Sequence, residues 1–229
     1  RILCLDLRNH GASFHDDTMS FDQMADDVIA TLDELGIERC ALLGHSLGGK
    51  VAMTTAFKAP ERIERLCSMD MAPAAYSIAD GSNWRSNRQI VEAMYNLDLA
   101  SLKDRRDADT KLANDVLDPN IRAFALSNLV QDAKTKQPSW KCNISALLAN
   151  LDAMATWDQQ DNTFPGPALF LAGANSRYIR NIHLDAIKHS FPNFALRTVK
   201  DAGHWIHAEQ PAATQAFAQE FLDTHWPSA

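Results

Sequence analysis

The chain has 229 residues, is 46% hydrophobic, and its 22 basic against 29 acidic side chains leave a formal net charge of −7. That suits one α/β domain with an insertion, and it excludes a basic nucleic-acid binder. Neither a lysine/arginine cluster of the membrane-surface kind nor an apolar run long enough to span a bilayer occurs. Cys4, Cys40, Cys67 and Cys142 have neither metal-ligand nor C-x-x-C spacing. Cys4 and Cys67 lie in apolar strand patterns, so buried free thiols in a reducing, cytoplasmic setting are expected. The sequence opens inside a strand pattern, Arg1-Ile2-Leu3-Cys4-Leu5, without an initiator methionine. A missing true N-terminus is therefore expected as well.

Residues 2–7 read as a short buried strand, followed by the loop Arg8-Asn9-His10-Gly11-Ala12-Ser13. Ser20 and Gln23 give a capping-box signal for a helix over 21–35. Its buried face is Phe21, Met24, Val28, Ile29, Leu32 and Leu35, and Gly36 stops it. A strand at 39–44 runs into Gly44-His45-Ser46-Leu47-Gly48, with a helix-forming stretch to Lys58 ended by Ala59-Pro60. Residues 63–70 are the next strand. From 73 to 162 helices near 86–97, 104–117, 120–131 and 143–156 replace the alternation, with a candidate hairpin at 134–141 around Gln137-Pro138. A strand at 167–172, a helix at 181–190, a strand at 194–200 and a last helix opened by Pro211 follow. Strand–helix alternation argues for a parallel sheet covered on both faces, and the helical stretch for a cap.

G-x-S-x-G between a strand and a helix is the setting of a nucleophile elbow. Its tight turn needs Gly44 and Gly48 for room. It exposes the Ser46 hydroxyl and aims the Leu47 amide at a developing oxyanion. A serine needs a base, and the base an orienting acid. His204 follows a strand in a Gly-His loop, at the sheet edge where ligands bind in open α/β folds. His45 is turned from the hydroxyl and reads as packing or pocket wall, and His207 lies beside the site. His15, His183, His189 and His225 read as surface or amphipathic-helix positions. The loop at 173–178 holds no carboxylate, so Asp70, ending the strand after the elbow, is the favoured acid. Asp185 and Asp201 stay open as alternatives.

These segments resemble the α/β-hydrolase superfamily over essentially the whole chain. More narrowly, the chain is similar to small bacterial acyl esterases of the YbfF type and their mitochondrial abhydrolase-domain relatives. The resemblance rests on Asp6–Ser13, Gly44–Lys50, Met69–Pro73, Gly173–Tyr178 and Gly203–Glu209. It implies a Ser46–His204–Asp70 triad with the acid after the sixth strand. It also implies a core of 1–72 and 163–229 with 73–162 as a helical cap over an acyl pocket. Leu129, Trp140 and Trp157 are candidates to line that pocket from the cap, with Tyr178 and Trp205 bordering it from the sheet side.

Asp-x-Arg-x-x-Gly-x-Ser resembles the loop after the fourth strand of that fold, so His10-Gly11 is not its oxyanion loop. The first three strands, roughly 20–40 residues by ordinary strand and loop lengths, are expected upstream. The second oxyanion donor would lie there too. The expected activity is hydrolysis of small carboxylic esters, or of acyl thioesters, through an acyl-enzyme on Ser46, with no metal and no cofactor. Cofactor-free C–C hydrolysis, haloperoxidase-like chemistry and a non-catalytic ligand-binding module are the alternatives. Neither nucleic acid nor membrane insertion is expected, and composition sets no oligomeric state.

Overall fold

The computed structural model describes residues 1–77, 84–131, 134, 135 and 137–224, with the side chains of 84–86 left out. The expectation for His225 lies outside these residues. The chain forms two compact units, Phe21–Ser82 with Met154–Ala229, and Arg1–Ser20 with Asn83–Ala153.

The first unit is built on a parallel four-stranded sheet. Its strands are β1 (Cys40–His45), β2 (Ile63–Met69), β5 (Ala168–Gly173) and β6 (Phe194–Val199), adjacent in that order. Central β5 is buried at every residue, the continuous apolar run that a strand covered on both faces requires. Alternate side chains face opposite ways. Cys67, Leu169, Leu171 and Val199 pack with Ile206 and Phe221, which come from α8 (Ile206–Glu209) and α9 (Pro211–Asp223). On the other face Phe170 meets the ring of Phe191 at 5.3 Å. The helix α2 (Leu47–Lys58) packs on β1 and β2, and α1 (Phe21–Glu34) lies against α2. Gly36 stops α1 at φ +62°, leaving Leu35 beyond the helix and 44% exposed rather than on its buried face. The helix α7 (Leu184–Ser190) precedes β6 and is entered through a 3₁₀ turn at Asn181–His183.

The other unit contains α3 (Trp84–Asn96), α4 (Arg105–Leu112), α5 (Pro119–Ser127) and a hairpin of β3 (Leu129–Gln131) and β4 (Pro138–Trp140). Most of α6 (Ile144–Ala155) also belongs to it. Asp104 and Asp118 cap α4 and α5 by accepting from Asp107 N and Asn120 N at 2.8 Å each. Ala93, Ala108, Leu112, Val116 and Leu126 form the core. The chain's opening loop is tied to the start of α6 by Asn9, whose carbonyl accepts from Asn143 N at 2.9 Å.

Three sequence expectations are corrected. Residues 2–7 form no strand: Ile2 is 91% exposed and Cys4 is exposed. An apolar run becomes a strand only with a ladder partner, and none of the described residues pairs with it. The helix expected at 120–131 ends at Ser127, and Leu129–Gln131 pairs with Pro138–Trp140, so the hairpin begins earlier than Lys134. The helix expected over 104–117 stops at Leu112.

Phe170 is fully buried among Phe191 and Phe194. Phe170→Ala should therefore cost about 3–5 kcal/mol, read as a lowered urea midpoint at unchanged slope.

Candidate active site

The C-terminal ends of β1, β2 and β5 lie side by side, and each carries the chain into a sharp turn. Ser46 N donates to Met69 O at 3.2 Å and Asp70 N to Leu171 O at 2.7 Å. After β1, Ser46 takes φ 54° and ψ −118°. That conformation costs a non-glycine residue of order 1–3 kcal/mol and is held by its surroundings. Asp70 also has a left-handed φ, 50°.

The turn folds α2 back over the strand, so a Cβ on Gly44 would collide with the Gly48 carbonyl. Gly48 itself faces open space. The second crowded position is Gly49, where a Cβ would lie 2.9 Å from Ser68 Oγ and 3.1 Å from Met71 Cβ. The expectation that Gly48 supplies room is thus corrected: its backbone is the obstacle, and Gly49 lies against β2. Leu47 opens α2, and its amide is among the first four of a helix, which have no acceptor in the helix itself.

The structure brings Ser46, His204 and Asp70 together. His204 Nε2 lies 3.0 Å from Ser46 Oγ, and Nδ1 lies 2.7 Å from Asp70 Oδ2. An ionised carboxylate only accepts, which puts the imidazole proton on Nδ1 and leaves Nε2 to accept from the serine hydroxyl. Asp70 is fully buried and His204 nearly so, with side chains 0% and 12% exposed. Both carboxylate oxygens are engaged, since Gly173 N donates to Oδ1 at 3.0 Å and Ser176 Oγ donates to Oδ2. A search of that loop for an acid does not point to Ser176, whose role shows only in the structure.

Tyr178 is buried and its ring stacks on the His204 imidazole, with centroids 3.9 Å apart. Its carbonyl accepts from Tyr76 Oη at 2.7 Å, and Tyr76 Oη accepts from Ala72 N at 2.9 Å. Those bonds fasten the segment after Asp70. Trp205 stands edge-on to His204 at 6.4 Å. His45 does not reach Ser46 Oγ; its Nε2 bonds the His204 carbonyl at 2.8 Å. Its ring lies 4.5 Å from that of His207. Burial, then the neighbouring His204, pushes the His45 pKa down from 6.5 to about 4.

Trp157 is buried beside Phe21 and Lys50 in the sheet-bearing unit. Leu129 and Trp140 belong to the helical unit, where they pair across the hairpin and Trp140 Nε1 donates to Met94 O at 3.0 Å. Asp201 is an exposed turn residue with φ 56°, and Asp185 is exposed on α7. Neither is hydrogen-bonded to His204, whose Nδ1 is on Asp70. Of the two readings for His183, surface or amphipathic helix, the surface one is corrected: it is buried at the end of a 3₁₀ turn, its Nδ1 accepts from Arg180 N at 3.2 Å and its ring meets Tyr76. Among the described residues no cluster of three or more His, Cys, Asp or Glu could hold a metal ion.

Lys50, in the first turns of α2, is 2% exposed. Its Nζ donates to Ala74 O and lies 4.1 Å from the Trp157 ring centroid and 5.1 Å from that of Tyr76. The ring faces favour an ammonium. Burial, only partly offset by the charge of Asp158, holds the pKa well below 10.5.

Two pH dependences of stability follow. Below pH 6.5 the unfolded chain protonates His45 while the folded one resists until about pH 4. Stability should therefore fall over that window as pH drops, by up to about 3 kcal/mol from this group. His45→Gln should flatten the slope in denaturation curves taken at successive pH values. Lys50 acts at the other end, since the unfolded chain binds its proton up to 10.5 and the folded one releases it earlier. This group's contribution should make stability rise as pH climbs toward 10.5, and Lys50→Met should lack that rise.

The model of the alpha/beta hydrolase fold family matches residues 1–211. A mouse (Mus musculus) protein named sn-1-specific diacylglycerol lipase ABHD11 is 36% identical over 97% of this chain and 69% of its own length. Esterase YbfF of Escherichia coli (strain K12) is 29% identical over 97% of this chain and 82% of its own. A solved structure titled Marine microorganism esterase superposes with TM-score 0.90 at 33% identity, covering 94% of this chain and 82% of that one. The chain spans about two thirds of the length of the vertebrate relatives it matches. It belongs to the α/β-hydrolase fold family and, within it, to the esterase-type hydrolases.

Proposed function

We propose that the protein hydrolyses small-molecule carboxylic esters through an acyl-enzyme on Ser46, with acyl thioesters as a second substrate class. The observation that carries this reading is the unbroken hydrogen-bond line from Ser46 Oγ through His204 to the buried Asp70 carboxylate. In it His204 takes the hydroxyl proton as Ser46 Oγ attacks the acyl carbonyl, then returns it to the leaving alcohol or thiol. Asp70 keeps the imidazole in the Nδ1–H tautomer and offsets the charge that forms on it. The Leu47 amide, at the N-terminus of α2, receives part of the tetrahedral oxyanion. Water activated by the same His204 then frees the acyl group.

The names of the relatives support the ester as substrate class: one is called a diacylglycerol lipase and another an esterase. The same reading keeps the helical stretch 73–162 as an insertion between two halves of one α/β core.

A fluorophosphonate probe should label the protein, and Ser46→Ala should abolish the labelling. Asp70→Asn should lower kcat for p-nitrophenyl esters by about 10³–10⁴, the loss expected when the imidazole is held in the wrong tautomer. Near-full activity in Asp70→Asn would move the orienting role elsewhere. A panel of p-nitrophenyl esters and acyl-CoAs separates ester from thioester preference.

A further inference from the structure

His204 comes from a loop with little regular structure of its own, between β6 and the single turn of α8. Imidazole position therefore depends on whatever fixes the main chain on either side of it. Backbone bonds do so where Ala202 O accepts from Asn175 N and Trp205 O from Ala208 N and Glu209 N, and two side chains add to them. Glu209 takes the two flanking amides, accepting from Gly203 N on Oε2 at 2.7 Å and from Trp205 N on Oε1 at 3.1 Å. His45 takes the carbonyl of His204 itself, at 2.8 Å. A carbonyl only accepts, so His45 must carry its proton on Nε2. Its strongly lowered pKa keeps the His45 ring neutral at ordinary pH, so His45 places no positive charge beside His204.

His45 is also the last residue of β1 and immediately precedes Ser46. Its bond thus ties the backbone of one member of the hydroxyl–imidazole pair to the side chain beside the other. We propose that His45 and Glu209 are positioning residues that clamp the main chain of the His204 loop and so hold the imidazole in line between Ser46 and Asp70. The proposal rests on the hydrolase reading and adds to it a role for two residues that act through the main chain of the His204 loop.

The test compares His45→Leu, His45→Gln, Glu209→Ala and the double variant His45→Leu/Glu209→Ala, using p-nitrophenyl butyrate and a fluorophosphonate probe. Leucine keeps bulk and loses the donor, whereas a glutamine amide can reach the place of Nε2 and donate. His45→Leu and Glu209→Ala should each lower kcat by roughly 10- to 100-fold, the penalty of a misplaced catalytic group, and leave KM almost unchanged. The rate of phosphonate labelling should fall by the same factor, and His45→Gln should recover most of both. The double variant should lose less than the product of the single losses, since both act on one loop.

A raised KM with unchanged kcat in His45→Leu would overturn the proposal in favour of a pocket wall. Equal impairment of His45→Leu and His45→Gln would overturn it in favour of packing shape. Circular dichroism checks that each variant is folded; if His45→Leu is not, Glu209→Ala, altering an exposed side chain, decides. A native protein that neither hydrolyses the ester nor takes the probe would overturn the hydrolase reading itself. An active native protein with unimpaired variants would overturn the clamp alone.

Discussion

The backbone of α2 passes so close over the end of β1 that no side chain fits on Gly44. Most of the site follows from this close approach. It forces Ser46 into a left-handed conformation and holds it there by the packing of α2 on β1 and β2. It sets the start of α2, and hence its amides, beside the serine. It also turns Lys50 inward, where a lysine would not otherwise sit. The strain at Ser46 is small against the burial that the helix and sheet achieve together, so the conformation persists.

The second requirement is a buried acid with both oxygens hydrogen-bonded. Asp70 takes bonds from His204, Ser176 and the Gly173 amide. Those donors come from the end of β5, the loop after it and the loop after β6, so the carboxylate joins three segments at the sheet edge. A carboxylate removed from water costs several kcal/mol unless so satisfied. Charge, orientation and local architecture are thus fixed by one group.

The chain's punctuation made the elbow, the parallel sheet and the helix order legible. Gly44, Ser46, Pro60, Pro211 and the strand-period runs around Cys67 and Phe170 each act through local rules that tertiary context did not override. What escaped depended on partners distant in sequence. Residues 2–7 have the composition of a strand, yet a strand is a relation between two segments, and none of the described residues pairs with these. The stretch at 129–131 looked like the end of a helix because helical spacing within it says nothing of its strand partner across the turn at 138–140. His183 looked like a surface residue because nothing nearby in sequence tells of Tyr76, and the crowding at Gly49 rather than Gly48 depends on the neighbouring strand. The joining of Ser46 to His204 spans most of the chain; chain order and sheet-edge logic anticipated it, but Ser176 and Glu209 had no such signal.

The stacking of Tyr178 on His204 constrains what that imidazole can do. One face is covered by a buried ring, and Nδ1 and the carbonyl are both tethered, so swinging the imidazole out toward solvent would break the stack and both hydrogen bonds. Under the hydrolase reading, a proton relay whose ring barely moves requires donor and recipient oxygens to arrive at nearly one point in turn. The two halves of the reaction must then be separated by displacement of the bound acyl and leaving groups, not of the base.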